Sequence, residues 1–321
     1  MSRFNKIVVI GAGTMGSGIA AHLANSEREV VLLDLRGNDS PNQISEKAIN
    51  LIKKSDPPLL VEKSRLSHIK PGNLSDDFNQ IKDADWIIEA VVERIDIKHQ
   101  LYSQIDKIRN PNSIVSSNTS TIPLSVLTEE MSDSMKSDFC ITHFFNPVRF
   151  MRLLEIVETP QINVKKIIAL RDFCQNELGK GIVNCNDTPG FIGNRIGVYA
   201  MQVAMYEALE RGLPVEIADA LFGRPLGIPK TGVFGLYDLI GIDLMKDVLA
   251  SFKKELQEDD PFMEVVKPHP IVEKLLEKGY TGNKGPGGFY ENKVVDGDEI
   301  TKALNTSDMS YYDFDKVDLE I

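Results

Sequence analysis

A glycine triplet constrains this chain more than any other feature. Gly11, Gly13 and Gly16 form G-x-G-x-x-G between an apolar run, KIVVI at 6–10, and a helical pattern, TMGSGIAAHLAN at 14–25. Strand, tight turn and helix in that order read as the first βα unit of a dinucleotide-binding sheet. Glycine lets the pyrophosphate approach the backbone, and the helix N-terminus offers it free N–H groups. Asp34 ends the next apolar run, EVVLLD, about twenty residues on, where a carboxylate can accept both ribose hydroxyls and repel a 2'-phosphate. NAD is therefore expected over NADP, although Arg36 stands where it could meet a 2'-phosphate.

The chain has 321 residues, enough for two domains at a typical size of about 150, and 42% apolar composition supplies each with a core. No run approaches the roughly 18 apolar residues of a membrane span. MSRFNKIVVIG lacks the pattern of a signal or transit peptide, so a cytoplasmic location is expected. Cys140, Cys174 and Cys185 are too scattered for a disulfide framework or a metal motif, and no metal is expected. A net charge of -11 argues against nucleic acid as a partner. Residues 296–321 carry six of those net charges, with eight acids against Lys302 and Lys316.

Along the first half, short apolar runs (KIVVI, EVVLLD, DWIIEA, SIVSSN) alternate with helical patterns, which predicts βαβ units and a mainly parallel sheet. A polar insertion of about fifty residues, 37–84, interrupts the alternation, with helical spacing in QISEKAINLIKK. FCITHFFNPVRFMRLLEIVE reads as two strands joined by a tight turn, followed by a helix near 163–178 and a strand, GIVNC. From DTPGF onward the spacing is helical until GGFYENKVV. The expectation is an α/β Rossmann-like domain over 1–187 with a helical insertion, an all-α domain over 188–295, and an acidic tail or linker over 296–321.

Alternation places His143 and Glu155 on apolar strand faces, and a hairpin centred near Arg149 sets residue 155 opposite residue 143. A buried carboxylate needs a partner, so the two are expected to pair as a base and the group that orients it. A structural core histidine is the bland alternative. Asn146 and Ser117 are placed at the carboxyl ends of strands, where an open α/β sheet binds its ligands.

SNTST at 117–121, HFFNP at 143–147, LLEIV at 153–157 and DTPGFIGNR at 187–195 together resemble the L-3-hydroxyacyl-CoA dehydrogenase family. GAGTMGSGIA, EAVVERIDIK and GNKGPGGFYE extend the resemblance over about residues 5–292. It implies oxidation of (S)-3-hydroxyacyl-CoA to 3-oxoacyl-CoA by NAD in fatty-acid β-oxidation. It makes His143 the general base, Glu155 its partner, and Ser120 and Asn194 the polar pair on the substrate oxygen. Thr14 and Met15 within the glycine loop, with Glu93, Lys98, Asn118 and Asn146, are assigned to the cofactor. Lys53 and Lys54, in a lysine-rich part of the insertion, are candidates for CoA phosphates.

The insertion and the segment GRPLGIPKTGVFGLYDLIGID look closer to the dehydrogenase part of larger bacterial fatty-acid oxidation proteins that also carry an enoyl-CoA hydratase region. The chain is thus expected to be a homodimer or part of a larger multifunctional chain. The competing expectations are a dehydrogenase of another hydroxy substrate, such as a sugar acid or carnitine, and a catalytically silent NAD-binding protein.

Overall fold

A computed structural model describes residues 4–226, 231–295 and 298–315. The chain divides into two compact units, 1–192 and 193–321.

The first unit is built on an eight-stranded sheet. Its elements are β1 (Lys6–Ile10), α1 (Thr14–Asn25), β2 (Glu29–Asp34), α2 (Gln43–Lys54), β3 (Ile69–Asn73), β4 (Trp86–Glu89), α3 (Ile95–Ile108), β5 (Ile114–Ser117), α4 (Leu124–Leu127), α5 (Asp133–Ser137), β6 (Phe139–Phe144), β7 (Leu153–Glu158), α6 (Val164–Asn176) and β8 (Gly181–Cys185). The strand order is β3-β2-β1-β4-β5-β6-β7-β8. The first six strands run parallel, and β7 and β8 run antiparallel to them. Right-handed crossovers make this order natural: β1 to β3 wind to one side, β4 onward to the other, and the switch lies between β1 and β4.

Period-2 alternation distributes β1 between two cores. Ile7 and Val9 join Ile19, Leu23, Trp86 and Phe173 on one face, while Val8 and Ile10 join Leu101, Tyr102, Leu127 and Phe139 on the other. Each such side chain taken fully from water stabilises the fold by about 1.5–3 kcal/mol, so both faces must be covered by helices. α6 starts where Asn163 caps it, its side-chain oxygen accepting from the Lys165 and Lys166 amides.

Within this unit two features differ in detail from the sequence expectation. The insertion is not simply helical: IKPGN forms β3, an edge strand in register with β2 from Val30↔Ile69 to Asp34↔Asn73. Pro71 and Gly72 make this pentapeptide read as a turn, and an edge strand is where a proline is tolerated. The compact units divide after residue 192, a few residues beyond the expected boundary near Asp187, and Phe191 packs into the core of the first unit.

The second unit comprises α7 (Gly193–Glu210), α8 (Val215–Leu221), α9 (Phe234–Ile240), α10 (Ile242–Glu255), α11 (Pro270–Glu277) and the strands β9 (Tyr290–Val295), β10 (Asp298–Leu304) and β11 (Tyr311–Tyr312). Met205, Phe234, Leu249, Leu275 and Phe289 sit at the centre of its core. The stretch from 296, expected as a tail or linker, is for the most part folded. β10 pairs antiparallel with β9 and β11, Ala303 and Leu304 are buried in the helical core, and Tyr311, Tyr312 and Phe314 pack against it. Its acidic composition hides this, because a few apolar and aromatic side chains carry the packing while the acids between them stay outside. Residues 296–297 and 316–321 of that stretch lie outside the described residues, as do 227–230 of the segment beginning GRPLG.

Candidate active site

The glycine loop lies at the switch point. Gly11 follows β1 with φ +104°, a conformation that favours glycine, and a Cβ there would stand 2.4 Å from the Ala90 carbonyl oxygen after β4. A Cβ on Gly16 would be 1.7 Å from the Gly11 carbonyl oxygen, so this glycine lets α1 pack against the turn. Gly13 differs: nothing lies within 4 Å of where its Cβ would be. The fold does not need glycine at that position, and the open space over an exposed helix N-terminus is a cradle for a bound group. Thr14 and Met15 open α1 beside it.

Asp34 ends β2. Its Oδ2 accepts the Ala12 amide at 2.5 Å and its Oδ1 the Leu35 amide at 2.6 Å, so the carboxylate is fixed against the glycine loop. Arg36 is ion-paired with Asp76, which leaves Asp34 to set the local charge. Open glycine, free helix end and held carboxylate are the donor and acceptor set that the pyrophosphate and ribose of NAD require, and the residues present fit that group.

His143 and Glu155 are register partners across the β6–β7 pair, as hairpin geometry predicts. Nδ1 of His143 lies 2.7 Å from Oε2 of Glu155, and Glu155 is wholly buried. A carboxylate there makes Nδ1–H the donor and leaves Nε2 as the proton acceptor. The other Glu155 oxygen accepts the Ile192 amide at 2.9 Å and faces the Cys185 thiol at 3.6 Å. Burial and the Glu155 charge push that thiol up to about 12, so it stays protonated and able to donate. Phe145 and Phe191 flank the imidazole, with ring centroids 4.4 and 5.7 Å away.

Ser120 belongs to the loop after β5. Asn118 extends the sheet into this loop, its Oδ1 accepting the Phe144 amide at 2.9 Å beside His143. Glu93 holds the next residues: Oε1 accepts the Thr119 hydroxyl at 2.8 Å and the Ser120 amide at 3.1 Å. Lys98 is no surface residue. It is 1% exposed, between Glu89 at 2.7 Å and Glu93 at 3.0 Å. Glu89 also accepts the hydroxyls of Tyr102 at 2.5 Å and Ser117 at 2.6 Å. With these partners, a carboxylate in the middle of the sheet is compensated. Burial, chiefly, and the Glu89 charge push the Tyr102 hydroxyl well up, so it remains a donor.

Glu89 is not among the residues that motif or resemblance marks; its one sequence signal is an acid inside the apolar run WIIEAVV. The sequence marks Asp187 as a boundary and as the first residue of DTPGFIGNR without giving it a role; in the structure it accepts the Leu124 amide at 2.6 Å and the Ser125 amide at 2.9 Å. Asn146 is exposed in the turn after β6. Lys53 and Lys54 end α2 and, with Ser55 and Lys63, line a cavity of about 260 Å³ whose apolar wall includes Ile52, Leu60 and Leu66. Asn194 stands in the first turn of α7, in the second unit. Among the described residues no cluster of His, Cys, Asp and Glu could hold a metal ion, and no helix is long and apolar enough to cross a membrane.

Sheet order, glycine loop and acidic strand end define a dinucleotide-binding protein of the Rossmann-like class. Residues 6–188 match the model of the 3-hydroxyacyl-CoA dehydrogenase NAD-binding domain, and residues 190–292 match that family's C-terminal domain. The chain belongs to the 3-hydroxyacyl-CoA dehydrogenase family. It is 42% identical over 320 residues to a putative fatty acid oxidation complex trifunctional enzyme of Rickettsia felis, covering 99% of this chain and 44% of that protein. A probable 3-hydroxyacyl-CoA dehydrogenase of Deinococcus radiodurans is 35% identical, with 90% of this chain and 83% of that protein covered. Among solved structures, FadB2 of M. tuberculosis superposes with a TM-score of 0.74 at 27% identity, covering 90% of this chain and 99% of that one. The chain therefore spans less than half the length of its trifunctional relatives.

Proposed function

We propose that the chain interconverts (S)-3-hydroxyacyl-CoA and 3-oxoacyl-CoA with NAD, as the dehydrogenase step of fatty-acid β-oxidation. One observation carries the reading: a histidine hydrogen-bonded at 2.7 Å to a wholly buried glutamate, on a strand that ends at the ligand-binding edge of a dinucleotide-binding sheet.

Glu155 accepts Nδ1–H and so fixes the tautomer in which Nε2 of His143 is free to take the proton of the 3-hydroxyl; in the reverse direction the same nitrogen returns it. Glu155 also stabilises the imidazolium formed in between. When bound, the nicotinamide supplies the acceptor for the hydride leaving C3. Phe145 and Phe191 keep water from the imidazole. The Ser120 hydroxyl donates to the substrate oxygen as charge develops there. The same role for Asn194 rests on the family resemblance. The lysine-lined cavity at the end of α2 matches the phosphates of CoA in charge, which supports Lys53 and Lys54 as contacts for it. Relatives of trifunctional length support a larger chain bearing an enoyl-CoA hydratase region as the natural setting, with a homodimer as the alternative.

The test is the loss of NADH absorbance with acetoacetyl-CoA, run beside NADPH and beside free acetoacetate. Oxidation of NADH with the thioester and not with the free acid is the expected result. Equal rates with the free acid, or none with the thioester in protein that binds NADH, would contradict the reading.

A further inference from the structure

Ser120 sits in a loop that carries no regular structure between β5 and α4, yet a group that stabilises charge on a reacting oxygen must be held to within a fraction of an ångström. The hydrogen bonds show what holds it. On the amino side Glu93 accepts from Thr119 and Ser120. On the carboxyl side the Thr119 hydroxyl accepts the Ile122 amide at 3.0 Å, and then Asp187 takes the Leu124 and Ser125 amides with its two oxygens. α4 has four residues, and the side chain of Pro123 before it cannot cap it. Asp187, more than sixty residues away in sequence, satisfies its first amides instead.

Asp187 also opens the strap of residues 187–192 that ends on the His143–Glu155 pair. Within that strap Phe191, with φ 49° in the left-handed region, packs beside the imidazole, and the Ile192 amide donates to Glu155. A phenylalanine in that conformation is strained and persists only where its surroundings over-determine it. One six-residue segment is thus bonded at one end to the first residues of α4, where the loop bearing Ser120 ends, and at the other to the carboxylate that orients His143.

We propose that Asp187 is a positioning residue that sets Ser120 in register with the His143–Glu155 pair. The inference rests on the catalytic reading above. The two oxygens of its carboxylate fix the loop's exit, the strap fixes Asp187 relative to Glu155, and the hydroxyl that meets the substrate oxygen and the base that takes its proton are held by one piece of chain.

In the full chain, with acetoacetyl-CoA and NADH, Asp187→Ala is expected to lower kcat roughly 10- to 100-fold while the KM for NADH stays within about 2-fold. Asp187→Asn, which keeps one acceptor, should lose less. The decisive arm is the double variant: if Asp187 acts through Ser120, Ser120→Ala/Asp187→Ala is no slower than Ser120→Ala alone, whereas multiplied losses would make Asp187 a general structural support and overturn the proposal. Amide exchange provides a readout independent of turnover. Residues 118–127 should exchange faster in Asp187→Ala while β6 remains protected, and unchanged exchange in 118–127 would also overturn it. An inactive wild type would refute the catalytic reading, and the exchange result would still decide whether Asp187 holds the loop.

Discussion

Gly11, Gly13 and Gly16 are alike in sequence and differ in what requires them. Backbone atoms of the protein itself crowd the Cβ position of the first and third, whereas only a bound group could crowd the second. Gly13→Ala is accordingly expected to leave the melting temperature of the free protein within about 2 °C of wild type and to weaken NADH binding by roughly 10-fold or more, read by fluorescence titration; it exchanges one contact of the cradle for a methyl group. An equal loss of stability, or unchanged NADH affinity, would mean that Gly13 is a turn residue with no ligand over it. His143 and Glu155 were legible in the sequence because strand alternation and a short hairpin fix which residues face each other. Asp187 was not, because the amides it holds come from an element far along the chain; Glu89 stands out only as an acid within an apolar run, and no local pattern announces the Lys98, Tyr102 and Ser117 that partner it. Lys98 is a further case: spacing alone pairs it with Glu93, five residues away, and only the fold brings Glu89 to its other side and buries it.

Among elements, the strands rich in Val, Ile and Leu were legible and the atypical ones were not. β1, β2 and β4 announce themselves as apolar runs, while β3 is spelled IKPGN and is a strand only because β2 offers it an edge. β10 and β11 lie in a stretch whose charge suggests a solvated tail, yet Leu304 is 1% exposed and the Tyr311 hydroxyl donates to the Gly288 carbonyl at 2.6 Å. The Tyr312 hydroxyl likewise donates to Glu216 on α8 at 2.7 Å, so this segment is bonded to the helical unit as well as packed on its core. Leu304→Ala is expected to cost about 2–5 kcal/mol, the usual range for a leucine removed from a packed core. A drop of several degrees in the thermal midpoint checks this, and an unchanged midpoint would return the segment to the role of a linker.

At the scale of the whole molecule, each unit has its own core and its own buried charges. Those of the second unit predict its response to pH. Burial pushes Asp219 up to about 6 and Asp238 up to about 7, although the amides of Phe234 and Gly235 and the Tyr290 hydroxyl bond the first, and the amides of Phe289 and Tyr290 the second. An unfolded aspartate titrates near 3.9, so between about pH 4 and pH 7 the folded unit holds protons that the unfolded chain releases. The stabilisation is full below about pH 4 and is lost as the pH rises through these two values. Wild type should therefore melt at a lower temperature at about pH 8 than at about pH 5, with a smaller difference in Asp238→Asn; an equal difference in both would show that Asp238 is not responsible. The division into a nucleotide-binding and a helical unit was readable from the change of periodicity at DTPGF, but the placement of the strap with the first unit depends on Phe191 entering its core. The most direct test of the proposed chemistry is His143→Gln, measured for NADH affinity and for turnover of acetoacetyl-CoA in the same preparation. Affinity within a few-fold of wild type with turnover lower by roughly 100-fold or more is the result predicted for a general base; a variant that keeps most of its turnover would contradict the role of His143 and, with it, that of the glutamate behind it.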